Sequence, residues 1–272
     1  MKQLFNIPNF LTSFNLLSGI LAIIFAFSGH LDFSCYLIYL AAIFDFLDGF
    51  VARKMRISGE LGKQMDSLAD MVTFGVAPGI LIFLLLAIDS EGGYVFNDVI
   101  SFSEMNYSRI QMYFSSLSFN GIYDVSWMPF AALIIPFLSL FRLAKFNIDT
   151  RQTDSFIGLN TPANTIFFTA FPLLCMNAFE ASNDHALIFT FIKPVILVPL
   201  VIIMSCLLIS EIPFFSLKFK DFSWANNQIR IIFLGICALL IPILLVWSIP
   251  IIIILYLLLS IIENQRKKRI TI

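Results

Sequence analysis

Apolar runs near the length of a bilayer crossing recur along the whole chain, and they decide what it can fold into. A helix needs about 20 predominantly apolar residues to cross a hydrocarbon core. Stretches of that kind lie near residues 8–28, 33–55, 67–88, 127–146, 161–178, 194–214, 229–248 and 249–264. Hydrophobic residues make up 59% of the 272 and charged residues 13%, whereas an ordinary soluble domain carries about 25% charge. So few charges cannot cover a surface that faces water. A disordered chain, a secreted disulfide scaffold and a nucleic-acid binder are excluded on this ground. The expected fold is an all-α polytopic membrane helix bundle, one integral domain over 1–272 with about eight transmembrane helices and six as the fallback. Pro250 is expected to separate the last two runs, either as two tightly turned spans or as one long kinked element.

Lysine and arginine positions set the expected orientation. With a cytoplasmic N-terminus, one side collects Lys2, then Arg53, Lys54, Arg56 and Lys63, then Arg142, Lys145 and Arg151, then Lys218, Lys220 and Arg230, and last Arg266 to Arg269. Of the 17 basic residues only Arg109 and Lys193 fall on the other side. Both termini are therefore expected in the cytoplasm, with 265–272 a basic tail anchored there. The polar, Ser-rich stretch 89–126 is expected to be an extracytoplasmic loop insertion. The first run is not read as a cleavable signal: it opens on a single Lys2, carries Asn9, Thr12 and Asn15, and leads straight into further apolar segments. Cys35, Cys175, Cys206 and Cys237 sit in apolar runs without metal-ligand spacing and read as buried, reduced packing residues.

Ionisable groups inside spans cost several kcal/mol each and usually mark function. The second run ends Ile43-Phe44-Asp45-Phe46-Leu47-Asp48-Gly49-Phe50-Val51-Ala52-Arg53, and the third opens Gly62-Lys63-Gln64-Met65-Asp66-Ser67-Leu68-Ala69-Asp70. Asp45 and Asp48 are three apart, Asp66 and Asp70 four apart, so each pair shares one helix face. A short polar joint makes the two helices antiparallel neighbours, so both pairs can converge near one cytoplasmic end. Four converging carboxylates repel one another unless a cation lies among them. Oxygen ligands without Cys or His select Mg²⁺, Mn²⁺ or Ca²⁺ over zinc, as one or two ions. Such a site suits a phosphate-rich substrate. Gly49, Ala52 and Gly62 leave room for close approach, and Arg53 is placed to fork onto a phosphate. Each piece has a plainer reading alone. An Asp-x-x-Asp at a span end can be a solvated boundary, small residues can be packing contacts, and Arg53, Lys54 and Arg56 can be orientation anchors.

Taken together the pieces read Asp45-x2-Asp48-Gly49-x2-Ala52-Arg53-x8-Gly62-x3-Asp66-x3-Asp70. This pattern is similar to the signature of the CDP-alcohol phosphotransferase family of membrane enzymes, with all eight positions filled. Further segments resemble the membrane-integral bacterial phosphatidylserine synthases within it. These are Ile7-Pro8-Asn9-Phe10-Leu11-Thr12 with Asn15-Leu16-Leu17-Ser18-Gly19, Thr73 to Pro78, Arg142-Leu143-Ala144-Lys145-Phe146-Asn147, and Phe156-Ile157-Gly158-Leu159 with Thr161-Pro162-Ala163. The resemblance covers roughly residues 5–170. Asn160 stands where such sequences commonly carry proline, and Lys145 where arginine is frequent.

The resemblance implies transfer of a phosphatidyl group from CDP-diacylglycerol to the hydroxyl of L-serine, giving phosphatidylserine and CMP. Asp45, Asp48, Asp66 and Asp70 would ligate the metal, and Asp70 is also the implied base. Asp45, Gly49, Ala52, Arg53, Gly62, Asn9 and Thr12 are the implied contacts to CDP-diacylglycerol. For Asn9, Thr12 and Asn15, capping of a helix start competes evenly with nucleotide contact. Arg142, Lys145, Asn147 and Thr161 are candidates for the serine pocket, although Arg142 and Lys145 read equally well as orientation anchors. A homodimer among membrane lipids in a prokaryotic inner membrane is implied as well, with the site facing the cytoplasm. The alternatives are a same-family enzyme acting on glycerol 3-phosphate or an inositol phosphate, and, in another class, a cation transporter. A transporter would want carboxylates near the bilayer midplane and a polar path across.

Overall fold

A computed structural model of the chain describes residues 5–56, 59–94, 100–119, 125–149, 155–183, 185–215 and 224–270. Lys2, Arg151, Lys218 and Lys220, four of the residues used for orientation, lie outside these, and of 267–270 only the backbone is described.

The first helix, α1 (Ile7–Phe27), shows how this fold inverts the packing of a soluble protein. Its buried stripe is Pro8, Asn9, Thr12, Asn15, Ser18, Gly19, Ala22 and Ala26, all small or polar. Phe10, Phe14, Leu17, Leu21 and Ile24 point outward. Lipid tails solvate apolar side chains as well as a protein interior does, so helices meet through small and hydrogen-bonding residues. The helix start is capped by Asn6, whose side chain accepts from the Asn9 backbone N–H at 2.9 Å. Asn9, Thr12 and Asn15 are thereby released from capping and face inward.

Helix α2 (Leu31–Met55) returns alongside α1 and carries Asp45 and Asp48 toward its C-terminal end. The chain then enters one 31-residue helical segment, Glu60–Ser90, made of α3 (Glu60–Asp70), a π-helical stretch over Met71–Val76, and α4 (Ala77–Ser90). The third crossing thus starts several residues before the apolar run does. Leu81 to Ile88 are almost wholly buried, as expected of a helix apolar on every side. Pro78 has no N–H to give the Phe74 carbonyl four residues earlier, and the Thr165 hydroxyl donates to that carbonyl at 2.8 Å.

The 89–126 connection, expected as an extracytoplasmic loop insertion, contains the helix α5 (Phe102–Phe119). Tyr113 and Ile110 are buried, and the Asn106 amide donates to the Gly29 carbonyl at 3.0 Å, which ties α5 to the turn between α1 and α2. Its buried residues Phe102, Met105, Asn106, Ile110 and Tyr113 lie on one face, and serines elsewhere on the helix mask that stripe in the sequence.

A 3₁₀ turn (Met128–Leu133) leads into α6 (Ile134–Ile148). After β1 (Ser155–Ile157) comes α7 (Thr161–Glu180), then the short α8 (Leu187–Phe191) and α9 (Pro194–Ile209). The crossing expected over 194–214 ends at Ile209, since the chain turns there into β2 (Pro213–Phe215), which pairs antiparallel with β1. Next are α10 (Trp224–Leu244) and α11 (Ser248–Ile270). Their break lies at Leu245–Trp247, where Leu245 takes a φ of 47°, not at Pro250. Pro250 sits in the first turn of α11, where a missing N–H costs nothing. The rings of Phe233 and Tyr256 meet at 6.0 Å, one on either side of the break, so the two helices form an antiparallel hairpin.

Among the described residues, five segments have the length and hydropathy to cross a membrane: Ile7–Phe27, Leu31–Met55, Glu60–Ser90, Met128–Ile148 and the 40-residue Asn227–Arg266 that contains the hairpin. Helix α7 is long enough, but its hydropathy is diluted by Thr161, Asn164, Thr165 and Thr169, all buried. Helix α9 is apolar but only 16 residues long. Five spans with shorter apolar helices among the described residues make an all-α polytopic membrane bundle. Cys35, Cys175 and Cys237 are buried and unpaired, while Cys206 is exposed on the outer face of α9.

One contact sets how closely α1 approaches the π-helical stretch. A Cβ on Gly19 would lie 2.3 Å from Thr73 Oγ1 and 3.0 Å from Thr73 Cα. We therefore expect Gly19→Ala to push α1 away, at a cost of about 1–3 kcal/mol in stability. Melting of the purified protein in detergent checks this, and Thr73→Ala in the same chain should recover part of the loss.

Candidate active site

The ends of α2 and α3 bring Asp45, Asp48 and Asp66 together. One carboxylate oxygen from each lies within 4.8 Å of the other two. The three-residue and four-residue spacings put the side chains on facing stripes of antiparallel helices, as the sequence implied. Asp48 is 6% exposed and accepts the Thr12 hydroxyl at 2.5 Å. Asp66 Oδ1 is buried and has no hydrogen-bond partner among the described residues. An unpartnered carboxylate oxygen beside two further carboxylates is costly unless a positive ligand completes it. The cluster therefore fits a hard divalent cation, which takes oxygen donors.

Asp70 lies one turn deeper and outside that three-oxygen cluster. It is 9% exposed, and the Asn15 amide donates to its Oδ1 at 3.0 Å. Asn15 is held by the close approach at Gly19, where the Thr73 hydroxyl donates to the Asn15 carbonyl at 3.2 Å. The π-helical stretch begins directly after Asp70. Such i→i+5 turns often lie at functional sites, because the extra residue resets which face of the helix points inward.

All four aspartates line one cavity of about 430 Å³. Gly49 and Arg53 line it beside Asp45 and Asp48, and the exposed Arg53 folds back so that its Nη1 lies 3.3 Å from where a Gly49 Cβ would be. The opposite wall is Arg142, Leu143 and Phe146 from α6, Phe156 from β1, and Asn160, Thr161 and Pro162 at the start of α7. Arg142 is 3% exposed. Its Nε donates to the Leu159 carbonyl at 3.1 Å, and its guanidinium carbon stands 5.1 Å from the centre of the Phe146 ring. No carboxylate pairs with it among the described residues.

Several expected site residues lie elsewhere. Lys145 forms an ion pair with Glu211. The Asn147 amide donates to Ser67 Oγ at 2.8 Å, and its carbonyl accepts from Lys63 at 2.6 Å. Both residues fasten α6 to its neighbours and do not line the cavity. Ala52, Gly62, Asn9 and Thr12 do not line it either. Thr12 acts through Asp48, and Asn9 Oδ1 lies 3.5 Å from where a Gly62 Cβ would be. Thr161 does line the cavity. Asn160 caps α7, its side chain accepting from the Ala163 N–H at 3.0 Å, so it gives that helix a polar start where similar sequences carry proline. Thr12 and Asn15 are three apart and share one face of α1, which is the only trace in the sequence of the Thr12–Asp48 and Asn15–Asp70 bonds.

The model of the CDP-alcohol phosphatidyltransferase family matches residues 5–262. The chain belongs to this family. The CDP-diacylglycerol–serine O-phosphatidyltransferase of Helicobacter pylori is 29% identical over 82% of this chain and 77% of its own length. That of Bacillus subtilis is 30% identical over 57% of this chain and 69% of its own. The archaetidylserine synthase of Methanothermobacter thermautotrophicus is 32% identical over 61% of this chain and 58% of its own. As a member of the family, the chain is an integral membrane transferase.

Proposed function

We propose that this enzyme transfers the phosphatidyl group of CDP-diacylglycerol to the hydroxyl of L-serine, forming phosphatidylserine and releasing CMP. The observation that carries the reading is that one cavity holds both an acidic cluster on α2 and α3 and, on the facing wall, a buried cation, Arg142, with no carboxylate ion pair among the described residues. The first suits a pyrophosphate neutralised by a divalent ion. The second suits the carboxylate of a small acceptor.

Asp45, Asp48 and Asp66 would hold Mg²⁺ or Mn²⁺, with Ca²⁺ as the other hard candidate, in one or two sites. Bound there, the cation supplies charge neutralisation for the pyrophosphate oxygens. Thr12 fixes Asp48, and Gly49 and Arg53 give the nucleotide moiety an open approach and a cation. Asp70, oriented by Asn15 through Oδ1, accepts the proton of the serine hydroxyl at its other oxygen. The serine oxygen then attacks the phosphorus attached to the lipid, the new O–P bond forms, and the bond to CMP breaks. Arg142 grips the serine carboxylate and holds the hydroxyl toward Asp70, with Thr161 as a polar neighbour. This division of labour places much of the rate in orientation. The acyl chains need no enclosed pocket and can lie between helices in the bilayer.

The basic bias supports an active site and both termini on the cytoplasmic side of a prokaryotic inner membrane. A homodimer is proposed on the family resemblance. A phosphorylated acceptor fits less well, because Arg53 and Arg142 are the only cations that line the cavity among the described residues. Purified enzyme given radiolabelled serine, glycerol 3-phosphate or inositol should put label into lipid from serine. Incorporation only from another acceptor overturns the reading.

A further inference from the structure

The wall that carries Arg142 is braced from the far end of the chain. Arg142 is held by the Leu159 carbonyl, and that turn is itself fixed. The Leu159 N–H donates to the Leu207 carbonyl, and the Gly158 N–H to the Ile212 carbonyl, both at 2.9 Å. Gly158 has a φ of 82°, and a Cβ there would lie 2.4 Å from the Leu208 carbonyl oxygen. The turn is thus pressed against the end of α9 in a backbone conformation that favours glycine. Just upstream, β1 pairs with β2 in the register Ser155 with Phe215, Phe156 with Phe214 and Ile157 with Pro213, and Phe156 reaches the cavity.

Strand β2 is in turn held by α11. The Tyr256 hydroxyl donates to the Phe215 carbonyl at 3.0 Å. Its ring centre lies 4.9 Å from that of Phe215 and 5.9 Å from that of Phe214. The Asn264 amide donates to the Pro213 carbonyl at 2.5 Å. Tyr256 does not line the cavity. We infer that Tyr256 is a positioning residue for the acceptor pocket, acting through β2, β1 and the Gly158–Leu159 turn to set the guanidinium of Arg142. The inference rests on the reading of Arg142 as the grip for the acceptor carboxylate.

Removing only the hydroxyl keeps the ring packing and leaves the buried Phe215 carbonyl without its donor, so the strut loosens and the fold persists. With purified full-length enzyme, Tyr256→Phe should raise the KM for serine roughly three- to tenfold, the worth of one hydrogen bond. Its kcat at saturating serine and its KM for CDP-diacylglycerol should stay near those of the parent. Arg142→Gln, run beside it, should raise the serine KM by more. If Arg142→Gln raises the serine KM and Tyr256→Phe leaves it unchanged, the strut is wrong and the Arg142 reading stands. If Tyr256→Phe shifts both KM values, kcat and the melting temperature together, its role is structural and the inference fails. If Arg142→Gln leaves the serine KM unchanged, the Arg142 reading falls and the strut falls with it.

Discussion

Asp70→Asn should abolish CMP release, by roughly 10²–10⁴-fold or more, in a protein that still folds and inserts into the membrane. The substitution is nearly isosteric, and the new amide oxygen can still accept from Asn15, which donates to Asp70 Oδ1 at 3.0 Å. Nothing in the packing around this buried position needs to change. What disappears is an oxygen able to take the hydroxyl proton as the attacking oxygen loses it. Turnover measured by CMP release, alongside elution from a sizing column in detergent, separates lost chemistry from lost fold. Recovery of the variant by excess divalent cation would assign Asp70 to metal binding, and near-normal turnover would remove it from the base role.

Chelation is the second large effect. Excess chelator should stop turnover, and added Mg²⁺ or Mn²⁺ should restore it, because the three oxygens of Asp45, Asp48 and Asp66 lie within 4.8 Å of one another and fit a hard cation. Asp66→Asn should weaken the metal dependence, raising the concentration needed for half activity by about 10-fold or more, in line with the loss of a charged ligand. Asp66 is the informative choice, since its Oδ1 has no hydrogen-bond partner among the described residues while Asp48 is also bound by Thr12. Full activity in excess chelator would refute the metal proposal.

The two sides of the cavity differ in how far they could be read beforehand. Asp45, Asp48, Asp66 and Asp70 belong to two helices joined by a short polar segment, so periodicity places each pair on one helix face and the short joint keeps the two faces near each other. The facing wall comes from α6, β1 and the start of α7, and no local spacing relates these to α2. That is why Lys145 and Asn147 looked equivalent to Arg142. Lys145 is three residues from Arg142 on the same helix, yet Glu211, a residue far along the chain, draws it away. The helix in 89–126 is masked for a different reason, its serine-rich composition. The hairpin turn lies at Leu245–Trp247 rather than at the more conspicuous Pro250.

Hydropathy, helical period and charge bias are properties of neighbouring residues, and they were enough to give a membrane bundle and an acidic cluster at one end of two helices. Which polar group meets which acid, and which cation reaches the cavity, are set by distances between segments that lie far apart in the chain. Those distances follow from close packing, such as the contact of Gly19 with Thr73 that brings Asn15 to Asp70. Only the assembled bundle contains them.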